Sequence, residues 1–272
     1  MTIARVLIVA GSDSGGGAGI QADIRTVTML GGHAMTAITA LTAQNTLGVE
    51  AVMPVAPAFV VQQMACVTED IGVDAVKIGM LGGEAIAAAV AEELATGLYP
   101  PAIVFDPVMV ATSGAILADQ RTVDAMDRLA RMSRVVTPNL PELAVLCGRD
   151  TIDPDDIEAI AGDYAATIGA AVLAKGGHAP GDMVIDRLID IDGTVRRWAS
   201  PRVDTRHSHG TGCTLASAIA TGLAQGLDLG DAIGRGITFV RAAIDAAPGL
   251  GAGHGPIGHT LGRRPFDECP GG

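Results

Sequence analysis

Between Asp204 and Gly226 the chain reads DTRHSHGTGCTLASAIATGLAQG, and Gly210, Thr211, Gly212 and Cys213 form a small-residue turn ahead of a long apolar run. A helix start leaves backbone N–H groups unpaired and carries partial positive charge, so this tetrad suits an anion. The same location can lower a thiol's pKa, which makes Cys213 a candidate thiolate. Lys77 and Lys175 are the only lysines, and each stands near the end of a predicted strand, a residue or two before glycine. A lysine at a sheet's carboxyl edge pairs with phosphate or carboxylate as a compact charge. For Lys77, a structural ion pair beneath a loop competes with that reading. Asp106 in AIVFDP and the pair Asn139 and Glu142 in TPNLPE bring oxygen ligands to the same edge. Together they could hold magnesium through water and nucleotide oxygens, whereas Glu142 alone would read as a first-turn helix carboxylate.

The glycine string GSDSGGGAGIQAD adds a flexible loop, with Asp23 one helical turn beyond Gly19. Gly17, Gly19 and Ala22 match a dinucleotide fingerprint, but the next strand ends in Gln44 and Asn45, where an acidic ribose ligand is required. The absence of any Gly-Lys pair excludes a Walker A loop. His33, His178, His207 and His209 show no metal-ligand spacing and read as solvated or loop-bracing side chains. Glycine loop, carboxylates, lysine and anion site together belong to phosphoryl transfer.

These groups need a scaffold that brings strand ends together. RVLIVAG reads as a buried first strand with its loop from Gly11 to Gly17, followed by a helix in AGIQADIRTVTMLGG. HAMTAITALTAQ, GVEAVMPV, DAVKIGM, AIVFDPV, RVVTPN and AAVLAKGG follow as strands, with helices between most of them, including PAFVVQQMACVTEDIG. MVIDRLIDIDGTVRRWAS reads as a hairpin turning at Asp192 and Gly193, and helices are predicted over Thr211 to Gln225 and Leu229 to Ala246. That alternation predicts α/β architecture with ligands outside the carboxyl ends of the strands. No repeat or linker divides the 272 residues, so one domain over 1–272 is expected.

A net charge of −12 argues against nucleic-acid binding, which needs a positive face. Cys66, Cys147, Cys213 and Cys269 show no Cys-x-x-Cys pairing, which fits a reducing compartment. No signal peptide and no apolar run of membrane-spanning length are visible, so the expected location is cytoplasmic.

AGSDSGGGAGIQAD, ALTAQNTLGV, KIGML, DPVM, TPNLPE, KGGH and HGTGCT, spread from about Arg5 to about Pro256, resemble the hydroxymethylpyrimidine and phosphomethylpyrimidine kinases of thiamine biosynthesis. The resemblance implies a ribokinase-like fold, a central mostly parallel sheet flanked by helices on both faces. It also implies phosphorylation of a hydroxymethylpyrimidine and then of its monophosphate, with ATP as donor and magnesium as cofactor. Carried over by motif, Gln44 would bond the aminopyrimidine edge, with Gly11, Asp23 and Met80 around the ring. Asn139 and Glu142 would serve magnesium and phosphate, Lys175 and Thr205 the nucleotide, and Gly210 to Gly212 the anion hole. Cys213 would be the base, where most sugar kinases of this fold carry aspartate. The resemblance further suggests a homodimer, and the length leaves no room for an appended thiamine-phosphate synthase or thiaminase-like domain. In the loop after DPVM, Thr112 stands where many relatives have lysine. A pyridoxal kinase of the same fold is the nearest alternative, and a catalytically silent ligand-binding protein is the alternative of another class. An intact Cys213, Glu142 and Lys175 argue against the second.

Overall fold

The first strand, β1 (Arg5–Asp13), has its interior almost wholly buried, as a central strand covered on both faces must be. In the computed structural model, which describes residues 3–111, 114, 115 and 117–261, its side chains alternate between two apolar layers. Val6, Ile8 and Ala10 pack with α1 (Gly19–Met29), on the face that also receives α7 (Thr211–Ala224) and α8 (Leu229–Asp245). Leu7 and Val9 meet the opposite layer, built from α2 (Pro57–Asp70), α3 (Glu84–Leu94), α4 (Gln120–Met132) and α6 (Ile157–Ile168). A period-two strand thus joins two cores.

The remaining strands are β2 (His33–Gln44), β3 (Val49–Pro54), β4 (Ala75–Ile78), β5 (Ile103–Phe105), β6 (Val135–Val136), β7 (Ala171–Ala174), β8 (Met183–Ile189) and β9 (Val195–Pro201). They form one sheet in the order β3-β2-β1-β4-β5-β6-β7-β8-β9. From β2 to β7 every pairing is parallel, while β3 and the hairpin β8–β9 join antiparallel at the two sides. The strand order reverses about β1, which has β2 on one side and β4 on the other. Connections diverge there and leave a crevice beyond the carboxyl ends.

β1 runs two residues past its expected end. Ser12 and Asp13 stay paired with Leu41 and Thr42 beyond a register shift between Ala10 and Ser12, so Gly11 lies within the strand and the loop starts at Ser14. β5 and β6 are shorter than their apolar runs, each stopping shortly before a proline, Pro107 or Pro138, whose ring removes a ladder donor. The hairpin turns where expected, with Gly193 at φ 82° donating to Asp190.

α7 explains the small residues that follow the GTGC turn. Thr214 to Gly222 are buried without a break. A Cβ on Gly222 would come 2.7 Å from the Ala232 methyl of α8, so glycine permits that close crossing. The helix also rests on β1, β4 and β5, which points its N-terminus at the crevice.

Candidate active site

A cleft of about 1300 Å³ occupies the carboxyl edge. Gly11, Gln44 and Met80 line one end; Asn139, Glu142, Lys175 and Thr205 line the other; Asp106 and Gly210 to Cys213 stand between them. Gly11 and Met80 touch across the crevice, since a Cβ on Gly11 would come 2.8 Å from Met80 Cε. Thr112 and Cys269 lie outside the described residues.

At the second end the sequence fixes its own geometry. Asn139 caps α5 (Leu140–Leu146), its Oδ1 accepting from Glu142 N while Glu142 Oε2 accepts from Asn139 N. This capping box anchors both residues at a helix start, so the bland reading of Glu142 holds alongside any role in the cleft. Lys175 donates to Asp106 Oδ1 at 2.8 Å and lies 3.8 Å from Glu142 Oε2. Thr137 Oγ1 also donates to Asp106. Burial pushes the Glu142 carboxyl up to about 7, with repulsion from Asp106 adding to it and Lys175 opposing.

Two carboxylates and a carboxamide are hard donors, and among the described residues no group of three or more His, Cys, Asp or Glu forms a metal cage. That set suits magnesium, which keeps water and phosphate oxygens in its shell. A positive charge near Glu142 would also relieve the cost of ionising it. Gly212 keeps the adjoining space open, because a Cβ there would lie 3.3 Å from Lys175 Nζ and 3.5 Å from Asp106 Oδ2.

The start of α7 requires glycine at its cap. Gly210 sits at φ 87°, and a Cβ on it would strike the Gly17 carbonyl oxygen at 2.0 Å. Glycine loop and α7 therefore meet backbone to backbone. The expected lowering of the Cys213 pKa is not found. Burial pushes the thiol up to about 11; Lys77 and the Gly19 N–H oppose this, while Asp23 and Asp106 reinforce it. Desolvation wins because the side chain is half-buried in the cleft floor beside two carboxylates.

Asp23 is the second correction. It does not line the cleft: fully buried, it takes Lys77 Nζ at 2.8 Å on Oδ2 and Ser217 Oγ at 2.7 Å on Oδ1. Its carboxylate lies beneath the floor as the partner of Lys77, so it meets no ring directly. Burial works against the Lys77 ammonium, but Asp23 and Cys213 outweigh it and raise its pKa.

Sequence reasoning left out Asp13 and set His209 aside as solvated or loop-bracing. His209 does brace the loop, with Nε2 3.0 Å from Asp13 Oδ2, and the same nitrogen lies 3.1 Å from the Gln44 amide. The available signal was an aspartate two residues ahead of a glycine string, where its carboxylate can bind the N–H groups of the following turn. Arg202 plays a similar part at the far end, donating to the carbonyls of Gly177, Ala179 and Gly181 beyond Lys175.

Comparison with known proteins identifies the family. The family model described as phosphomethylpyrimidine kinase matches residues 13–258. A thiamine biosynthesis bifunctional protein of Geobacter sulfurreducens is 47% identical over 94% of this chain, which spans about half (52%) of that relative's length. A hydroxymethylpyrimidine/phosphomethylpyrimidine kinase of Streptomyces coelicolor is 46% identical, with 93% of each chain covered. Among solved structures, a phosphomethylpyrimidine kinase of Clostridium difficile matches with TM-score 0.78 and 35% identity over 89% of this chain and 100% of that one. A pyridoxal kinase of Bacillus subtilis, as an ADP complex, matches with TM-score 0.87 and 33% identity over 96% and 98%. With the crevice, the GTGC helix start and the family match spanning the same residues, the chain belongs to the phosphomethylpyrimidine kinase family.

Proposed function

We propose that this protein transfers the γ-phosphoryl group of ATP to the hydroxymethyl group of 4-amino-5-hydroxymethyl-2-methylpyrimidine, and then phosphorylates the monophosphate to the diphosphate. The observation that carries the reading is one cleft with an amide, Gln44, at one end, the Lys175–Asp106–Glu142 cluster at the other, and the start of α7 between them. Gln44 would hold the ring edge beside Gly11 and Met80. Lys175, Thr205 and Asn139 would hold the nucleotide, and the N–H groups of Gly210 to Cys213 would face the phosphoryl group in flight. Magnesium, served by Glu142 and Asp106, would supply charge neutralisation on the phosphates.

In the first step the hydroxyl oxygen bonds to the γ-phosphorus, the bond to ADP breaks, and the hydroxyl proton passes to Cys213 Sγ in the fraction of the enzyme that holds it as thiolate. A thiol with a pKa of about 11 is seldom ionised at neutral pH, but its thiolate is a strong base when formed. A monophosphate, with a second pKa near ~6, needs little such help.

The pyridoxal kinase neighbours favour a second reading, ring discrimination being the difference. A coupled ADP-release assay run with the pyrimidine alcohol, its monophosphate and pyridoxal in parallel tests both. No diphosphate after prolonged incubation would remove the second activity, and pyridoxal as the preferred substrate would replace the reading.

A single kinase domain, cytoplasmic and homodimeric, completes the proposal. Among the described residues no helix is long and apolar enough to cross a membrane. β3 is an edge strand with side chains exposed on both faces, and Leu41, Val52, Met53 and Phe59 form an apolar border there that a second copy would cover. Light scattering on Met53→Glu against the unaltered protein reads the oligomer directly.

A further inference from the structure

Asp13 settles where a proton sits at the edge of the cleft. Its Oδ1 accepts the N–H of Gly15 at 2.8 Å, and its Oδ2 accepts those of Gly17 and Ala18, each at 2.9 Å. Burial alone would raise its pKa, but His209 and these N–H groups outweigh burial and hold it below the usual carboxylate value. An ionised carboxylate only accepts hydrogen bonds. His209 Nε2, 3.0 Å from Oδ2, therefore carries a hydrogen.

That assignment decides which way the Gln44 amide points. With Gln44 Nε2 toward His209, two N–H groups would oppose each other at 3.1 Å. Thr42 Oγ1 would also have to give its one proton both to the Ser12 carbonyl, 3.0 Å away, and to Gln44 Oε1, 3.2 Å away. Turning the amide by 180° about its terminal bond removes the N–H opposition and frees Thr42, with the single Nε2–H of His209 shared as a three-centre bond between Asp13 Oδ2 and the amide oxygen. The oxygen then accepts from His209, the NH2 donates to Thr42 Oγ1, and Thr42 keeps its proton for Ser12.

The surroundings keep the lock in place. A Cβ on Gly17 would come 2.5 Å from His209 Cδ2, so the imidazole packs closely against the glycine loop. His209 N donates to the Gly255 carbonyl at 3.2 Å, and the residue directly precedes Gly210 of the anion hole.

We infer that His209 and Thr42 lock the Gln44 amide with its oxygen toward His209 and its NH2 toward Thr42, leaving one lone pair and one N–H for a ligand edge. Such an edge must offer a donor beside an acceptor, as an exocyclic amine next to a ring nitrogen does. A ring without that amine satisfies only half of the amide. His209 is then a positioning residue for substrate discrimination, a role that rests on the reading of Gln44 as the residue that meets the pyrimidine.

The test compares the aminopyrimidine alcohol with its desamino analogue. Loss of a buried hydrogen bond to an uncharged acceptor is worth about tenfold. His209→Leu is expected to raise KM for the amino substrate about tenfold and to erase a similar factor of discrimination, with KM for ATP unchanged. His209→Gln, whose amide nitrogen can stand in for Nε2, is expected to restore most of both. Thr42→Val should move discrimination the same way and Thr42→Ser should not. An unchanged KM and unchanged discrimination in His209→Leu overturn the inference. So does a nitrogen-15 spectrum of the unaltered protein in which His209 Nε2 carries no proton, a reading open even if the leucine variant does not fold. If the unaltered enzyme shows no preference for the amino substrate, the pyrimidine reading fails by itself, and the nitrogen-15 spectrum still decides the lock.

Discussion

Lys77 and Lys175 stand near the ends of β4 and β7, each 2.8 Å from an aspartate and both bordering the cleft, yet one is wholly buried and the other keeps an exposed face. Lys77 is wholly buried, and Ser217 closes the free side of its partner Asp23. Lys175 keeps 13% of its side chain exposed, and Gly212 leaves the space beside its partner Asp106 empty. The pairs have the same chemistry and the same length; the residue α7 sets beside each aspartate differs. Ser217 and Lys77 occupy both oxygens of Asp23, whereas at Asp106 the Thr137 hydroxyl and Lys175 share Oδ1 and Gly212 leaves room for a ligand beside Oδ2. Cys213 lies between them, and both ammonium groups are raised in part by it.

The sharpest probe of this contrast is Cys213→Ala. Phosphorylation of the alcohol should fall by about 10²- to 10⁴-fold, the usual span of general-base catalysis, and that of the monophosphate far less. Paired single-turnover rates read this; equal losses would take the base role from Cys213. Because the thiol is raised to about 11, the alcohol step in the unaltered enzyme should also climb with pH above neutrality, and the alanine variant should lose that climb.

Lys77→Met should leave Asp23 as an unpaired buried charge and cost about 3–5 kcal/mol in urea unfolding. Asp23→Asn placed on the same chain should recover part of it. Lys175→Met should reverse the balance, lowering kcat about 10²- to 10³-fold, as for the loss of an electrostatic donor at the reacting group, with a smaller loss of stability. If the two methionine variants lose stability alike, the distinction between sealed and open pairs fails.

The smallest effect concerns Glu142. Its folded-state pKa of about 7 lies above the ordinary value of 4.5, so the folded state binds the extra proton between those values. Without metal, the stability this group contributes is full below about pH 4.5 and drains away as pH rises through 7, a change of up to about 3 kcal/mol. Glu142→Gln should flatten the pH dependence of Tm. Magnesium with nucleotide should raise Tm of the unaltered protein more at pH 8 than at pH 6, and equal shifts would detach Glu142 from the metal.

The order and type of the elements were legible because the signals are local: alternating apolar strands, the Asn-Leu-Pro-Glu helix start, the Asp-Gly hairpin turn. Most candidate residues fell in one cleft because a parallel sheet gathers the carboxyl ends of its strands. Two readings failed for a shared reason. Asp23 and Cys213 sit in or beside the first turn of a helix, and sequence shows that placement without showing what covers it. His209 was read only as solvated or loop-bracing, and its reach to Gln44 spans 165 residues and leaves no local mark.

The sequence by itself determined the α/β alternation, the glycine-lined helix start, the capped Glu142 and the family, since each rests on residue types at short spacing. Only the tertiary structure decided that Asp23 serves Lys77 beneath the floor, that Cys213 is raised, and that Asp13 fixes a proton on His209. Ionisation and hydrogen-bond direction depend on burial and on every charge within a few ångströms, and those neighbours come from strands and helices far apart in the chain.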